Sequence, residues 1–134
     1  MKYVVALIVA LVLNAAANLM MKVGMKSVAG GGGMLKDGPA GAVLTILKNP
    51  VLLGGLICFG LNAFCYMFAL QSRTLKISLA YPLMVGGGYA IIAVFASLSP
   101  LLRERLTVGQ WAGVGLVLIG VILIAALTPP EPQA

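Results

Sequence analysis

YVVALIVALVLNAAANLMMK, Tyr3–Lys22, is apolar for most of its length but carries Asn14, Asn18 and Lys22 at intervals of four. A bilayer core of about 30 Å takes roughly 20 residues of helix, so the stretch is long enough to cross it. Residues i, i+4 and i+8 share a helix face, which lines the two amides and the ammonium up as one stripe. Polar groups in hydrocarbon are costly unless they find a partner or a wet cavity. A helix that only had to sit in lipid would not carry them. They can act as glue between helices, with Lys22 snorkelling to the interface. Three in register favour the other reading, a polar pathway.

Working outward, three more stretches qualify as spans: Pro50–Leu70, Ile77–Leu98 and Val108–Leu127. Asn49-Pro50 and Thr107 supply helix starts, while Ser99-Pro100 and Thr128-Pro129-Pro130 supply stops, the last followed by a short polar tail. The expected fold class is therefore an all-α integral membrane protein of four transmembrane helices, one domain over residues 1–134, with a Gly-rich linker at 27–41. The composition agrees. Of 134 residues 61% are hydrophobic and 9% charged, with mean hydropathy +1.09, too much apolar surface for a water-soluble domain of this size to hide. Lys2 and the small residues at 15–17 also resemble a signal peptide. Cleavage there would remove the most polar membrane stripe, so a retained helix is the reading adopted.

The formal charge is +6, but the basic residues flank apolar runs and form no basic face, so nucleic acid is not the expected partner. Histidine is absent, and the acids are Asp37, Glu104 and Glu131. That scarcity argues against metal sites and acid–base catalysis, and neither an enzyme nor a cofactor is expected. Cys58 and Cys65, seven apart on one helix, are too distant for a mutual disulfide. GGGG at Gly30–Gly33 lacks the following Lys and Ser or Thr of a phosphate loop and reads as a flexible linker. AVLTILK, Ala42–Lys48, has helical spacing and suits an interfacial lead-in to the second span. Lys2, Arg73 and Lys76 fall on one side of a four-span layout; Lys22, Lys26, Lys36, Lys48, Arg103 and Arg105 fall on the other. This bias leans towards both termini outside, and it is weak enough to permit insertion both ways round.

The other spans add polar and small residues. The second has Asn62 and Tyr66; the third has Ser78, Tyr81 and Pro82, then Gly86, Gly87 and Gly88, which permit bending and close approach. With Asn14, Asn18 and Lys22, the residues Asn62, Tyr66 and Tyr81 form the expected substrate-binding set. The fourth span keeps its polar content at its start, Gln110 and Trp111, and places Gly109, Gly113 and Gly120 where they suit a dimer contact.

This layout resembles the small multidrug resistance proteins and their EamA-type relatives in the drug/metabolite transporter superfamily. The resemblance rests on NLMMK ending the first span, SLAYPL (Ser78–Leu83) opening the third, and LLRERLTVGQWAGVGLVLIGVILI (Leu101–Ile124). It covers the chain apart from the glycine linker and implies a dimeric transporter. The multidrug exporters carry a glutamate eight residues before the lysine that matches Lys22; here Asn14 stands there, and no amide titrates near neutral pH. They also tend to have a tryptophan near the position of Met84. Asp37 and Glu104, both in loops, are not expected to replace that glutamate. The subgroup that flips aminoarabinose-phosphoundecaprenol lacks the acid as well and shares the Tyr-Pro of the third span. The resemblance thus implies flipping of a lipid-linked sugar phosphate, or a similar lipid with an anionic polar head, across a bacterial inner membrane by a homodimer or a heterodimer with a paralogue. Export of a small cation or polyamine with a partner's acid, and a non-transporting packing subunit, are the other readings.

Overall fold

The structure, a computed structural model, describes residues 1–100 and 102–129. Glu131 and the rest of the polar tail lie outside the described residues, as does Leu101. The helices are α1 (Lys2–Gly30), α2 (Gly38–Lys48), α3 (Pro50–Leu70), α4 (Ile77–Leu98) and α5 (Val108–Leu127). Four of them, all but α2, are long and apolar enough to cross a membrane.

Local chemistry sets most of the ends. Asn49 Oδ1 accepts from the backbone N–H of Val51 and Leu52, at 3.1 and 3.3 Å, with Pro50 in the first turn of α3. At α5 a capping box closes: Gln110 N–H donates to Thr107 Oγ1, and Thr107 N–H donates to Gln110 Oε1. α4 runs unbroken through Pro82, although the ring leaves the carbonyl one turn earlier without its helical donor.

Two expectations need correction. The first helix does not stop at Lys22 but continues to Gly30. At 1.5 Å per residue its 29 residues span roughly 44 Å, well past a bilayer core. Tertiary contacts hold the extension. Gly24 is buried against Leu52, and Asn49 Nδ2 donates to the Gly24 carbonyl at 3.4 Å. The linker expected over 27–41 therefore shrinks to the turn between α1 and α2. There Gly32, Gly33 and Gly38 take φ of +109°, +98° and +80°, a region that favours glycine.

α1 is the centre of the packing. α3 and α4 both lie against it, α5 lies against α4, and α2 against α3. α3 runs antiparallel to α1: the Tyr3 and Phe68 rings are 5.5 Å apart at one end, and Gly55 faces Ala17 and Met20 towards the other. α4 runs parallel to α1, with Gly87 against Leu11 and Gly88 against Asn14. A small core of Leu7, Ala10, Ala69, Ala80 and Met84 joins the three. Outward-facing Val, Leu, Ile and Phe side chains cover the bundle, as suits a body whose solvent is lipid. Cys58 and Cys65 are both free thiols.

Candidate functional site

Asn14 is half-buried on α1 at the α4 contact. A Cβ at Gly88 would come within 2.9 Å of its Nδ2 atom, so the glycine is what leaves room for the amide. One turn on, Asn18 Nδ2 donates to the Asn14 carbonyl at 2.8 Å and to Asn14 Oδ1 at 3.3 Å. These two bonds tie the amides into a pair. It leaves Asn14 Nδ2 and Asn18 Oδ1 without a hydrogen-bond partner among the described residues.

The third member of the stripe is less alone than its neighbours in sequence indicate. Lys22 Nζ lies 3.8 Å from Glu104 Oε1, with the two side chains 61% and 47% exposed. Glu104 belongs to the α4–α5 loop, as expected, yet it stands at the stripe. The parallel register of α1 and α4 brings that loop to the end of the stripe. Arg103, immediately before it, takes the left-handed φ of +48°, and Leu102 is buried, which pins the loop. No sequence signal joins positions 22 and 104; only the helix order does.

Asn62 and Tyr66 sit one turn apart on α3 and are turned inward. Asn62 is 5% exposed. Its Oδ1 and the Tyr66 hydroxyl are buried without a hydrogen-bond partner among the described residues. The Tyr66 ring packs against the small core, and Tyr81 on α4 is near enough to interact with it electrostatically. Tyr81 itself faces outward.

The six residues thus form two groups, an open strip (Asn14, Asn18, Lys22) and an inward-turned pair, buried Asn62 and half-buried Tyr66, with Tyr81 beside it. A cavity of about 510 Å³ lies apart from both groups, between the end of α1, the glycine turn, α2 and the start of α3, lined by Lys36, Asp37, Thr45 and Lys48 among others. A smaller one, of about 190 Å³, is apolar and is lined by Met20, Val23, Phe95 and Leu102 among others. No group of histidine, cysteine and acidic side chains among the described residues could hold a metal ion.

The glycines divide as sharply. A Cβ at Gly86 would come within 2.5 Å of Val121 Cγ2, and one at Gly87 within 2.6 Å of Leu11 Cδ1. On α5, a Cβ at Gly113 or Gly120 would meet nothing within 4 Å, and one at Gly109 only Thr107 Oγ1, at 3.9 Å. The α4 triplet is the seam between α1 and α5. The α5 glycines open outward.

Comparison with known proteins gives partial matches. The chain is 31% identical over 87 residues to y4nH of Sinorhizobium fredii, a protein described as uncharacterized; the match covers 65% of this chain and 71% of that one. It is 38% identical over 74 residues to the probable 4-amino-4-deoxy-L-arabinose-phosphoundecaprenol flippase subunit ArnF of Aeromonas hydrophila, covering 55% of this chain and 48% of the relative. The ArnF of Erwinia tasmaniensis, named in the same words, is 35% identical over 78 residues, 58% and 59% of the two chains. The chain spans about half the length of the ArnF relatives it matches. No family model matches, and no solved structure does.

Proposed function

Since this chain belongs to the family of Sinorhizobium fredii y4nH, and its ArnF relatives are flippase subunits rather than enzymes, we propose that it is a small-multidrug-resistance-like membrane transporter. Its cargo, in this reading, is a lipid with an anionic polar head, of the lipid-linked sugar phosphate type, moved across a bacterial inner membrane.

One observation carries the reading. The four membrane-crossing helices contain no carboxylate; their polar side chains are amides, hydroxyls and the ammonium groups of α1, Lys22 among them. Amide N–H groups and Lys22 suit phosphate and sugar oxygens. An amine would need an acid. The one acid at the strip, Glu104, already faces Lys22. The openness of the strip supports the same cargo. A head group that slides along Asn14, Asn18 and Lys22 can leave its hydrocarbon tail in lipid, which an enclosed chamber would forbid. Asn62, Tyr66 and Tyr81 complete the polar lining once the second wall is in place.

That wall is a second four-span subunit, identical or paralogous. Transporters commonly rock two related halves about a central site, and no internal repeat supplies the second half here. Gly109, Gly113 and Gly120 on α5 offer the contact, and Pro82 with Gly86–Gly88 gives α4 its pivot.

The test is translocation of a fluorescent undecaprenyl-phosphate sugar in proteoliposomes. Lys22→Ala should reduce the rate at least tenfold while the protein elutes as wild type. Transport at the wild-type rate in this variant would refute the assignment. Proton release on adding a polyamine would instead favour cation export with a partner's acid. Full activity in Asn14→Leu, Asn18→Leu would leave the amides as helix glue.

A further inference from the structure

The cavity beside the glycine turn has no place in that pathway, yet it is a built feature. Its walls are Ser27 and Val28 of α1, Gly31 and Gly33 of the turn, Lys36 and Asp37 ahead of α2, and Thr45 and Lys48 within it. It lies where α1 ends and Pro50 opens α3, on the flank that carries Lys22, Lys26, Lys36, Lys48, Arg103 and Arg105. A volume of about 510 Å³ falls within the usual range for a small-ligand pocket.

What the walls offer is selective. The glycine N–H groups here are already used: Gly31 and Gly33 N–H donate to the Val28 carbonyl, Gly32 N–H to that of Ala29, and Gly38 N–H to that of Leu35. No backbone cradle for a nucleotide phosphate remains at those glycines. Thr45 Oγ1 donates to the Gly41 carbonyl, and Asn49 is spent on capping α3 and on Gly24. The charges are not spent. Lys36 bends across the turn, where a Cβ at Gly32 would meet its Cδ at 2.9 Å, and only glycine at that φ clears it. Asp37 precedes α2 without capping it, and its side chain lies over Gly41. Neither it nor Lys36 or Lys48 has an ion-pair partner among the described residues.

We propose that this cavity is a headgroup site for a phosphate ester whose substituent carries hydroxyl or amino hydrogens. Lys36 and Lys48 take the phosphate oxygens, and Asp37 accepts from the substituent. Two ammonium groups alone would take any anion; the carboxylate penalises a bare phosphate and favours one with donors attached. The source is lipid, because the site lies at the end of the membrane helices, where anionic heads concentrate around basic residues. This deepens the transport reading by giving the head a first point of capture, and it rests on that reading only for its purpose, not for its binding.

The test measures binding alone. Native mass spectrometry of the detergent-solubilised full chain, titrated with phosphatidylglycerol, should show a bound lipid. Lys36→Ala and Lys48→Ala should each weaken it about fivefold, while Lys2→Ala, at the opposite end of α1, should not. Asp37→Asn should narrow the preference for phosphatidylglycerol over phosphatidic acid. Glycerol 1-phosphate competing as strongly as phosphatidylglycerol would keep the chemistry and overturn the lipid source. Unchanged phosphatidylglycerol binding in the Lys36, Lys48 double variant would overturn the site. Lys22→Ala separates the two readings. Transport lost with headgroup binding intact supports both, and transport retained with binding still dependent on Lys36 and Lys48 removes the pathway but leaves this site.

Discussion

α4 and α5 are both glycine-patterned apolar helices, and their glycines do opposite things. In α4 every member of the Gly86–Gly88 triplet faces a specific neighbour: Val121 of α5, Leu11 of α1 and the Asn14 amide of α1. In α5 a Cβ at any of the three glycines of the small-residue pattern would meet nothing within 4 Å among the described residues beyond Thr107 at the helix's own start. The same residue type closes a seam in one helix and leaves a face open in the other. Small-residue spacing states that a backbone can be approached closely; whether anything approaches it is decided by the order of helices around α1.

The contrast has a direct measure. Gly86→Leu places bulk where even a Cβ meets Val121 Cγ2 at 2.5 Å and Val117 Cγ1 at 3.2 Å. Overpacking of this kind costs about 1–3 kcal/mol, and a leucine belongs at the upper end or beyond. Unfolding in detergent should occur at markedly lower denaturant, with α4 and α5 separating. Gly120→Leu should leave the stability of the single chain within about 0.5 kcal/mol, or raise it slightly through better helix propensity. Its effect belongs elsewhere: if the α5 face holds the second subunit, crosslinked dimer in membranes should fall severalfold. Equal unfolding midpoints for the two leucine variants would erase the distinction between seam and open face. Undiminished dimer in Gly120→Leu would move the subunit contact off this part of α5.

The two polar groups differ in the same way. Asn14 and Asn18 satisfy part of each other on an open face, whereas Asn62 Oδ1 is buried with no partner among the described residues. An unsatisfied buried carbonyl costs about 1–3 kcal/mol. Asn62→Leu, nearly isosteric, should therefore stabilise the fold by roughly 1 kcal/mol in detergent while lowering transport. A stabilised variant that transports normally would make Asn62 a packing accident; a destabilised one would mean that Oδ1 has a partner in the assembled protein.

Much of this was legible from sequence because its causes are local. Asn49-Pro50 and Thr107 with Gln110 cap α3 and α5 with side chains two or three residues away, and apolar runs of bilayer length need no tertiary context to be seen. The extension of α1 was not legible. KVGMKSVAG reads as a polar, glycine-bearing exit, and it stays helical because Gly24 fits against Leu52 and Asn49 reaches back to its carbonyl. The stripe of Asn14, Asn18 and Lys22 followed from helical period alone. Its partners, Gly88 and Glu104, did not, since both depend on α4 lying parallel to α1. The charged cavity at the turn was invisible for the same reason: it needs the ends of α1, α2 and α3 together.

Glu104 marks where such non-local contacts stop mattering for stability and begin to matter for function. Its pairing with Lys22 is long, at 3.8 Å, and both side chains are about half exposed. Exposed pairs of this kind contribute about 0–1 kcal/mol, and less as salt rises. Glu104→Gln should thus leave the unfolding midpoint almost unchanged. If Lys22 receives an anionic head, however, the carboxylate competes for the same ammonium, and its removal should raise apparent affinity for the transported lipid two- to fivefold, most clearly at low salt. The stability and transport assays therefore answer separately. A Glu104→Gln protein that folds as before and takes up its lipid with unaltered affinity, at low and high salt alike, would show that Lys22 is not where the head binds.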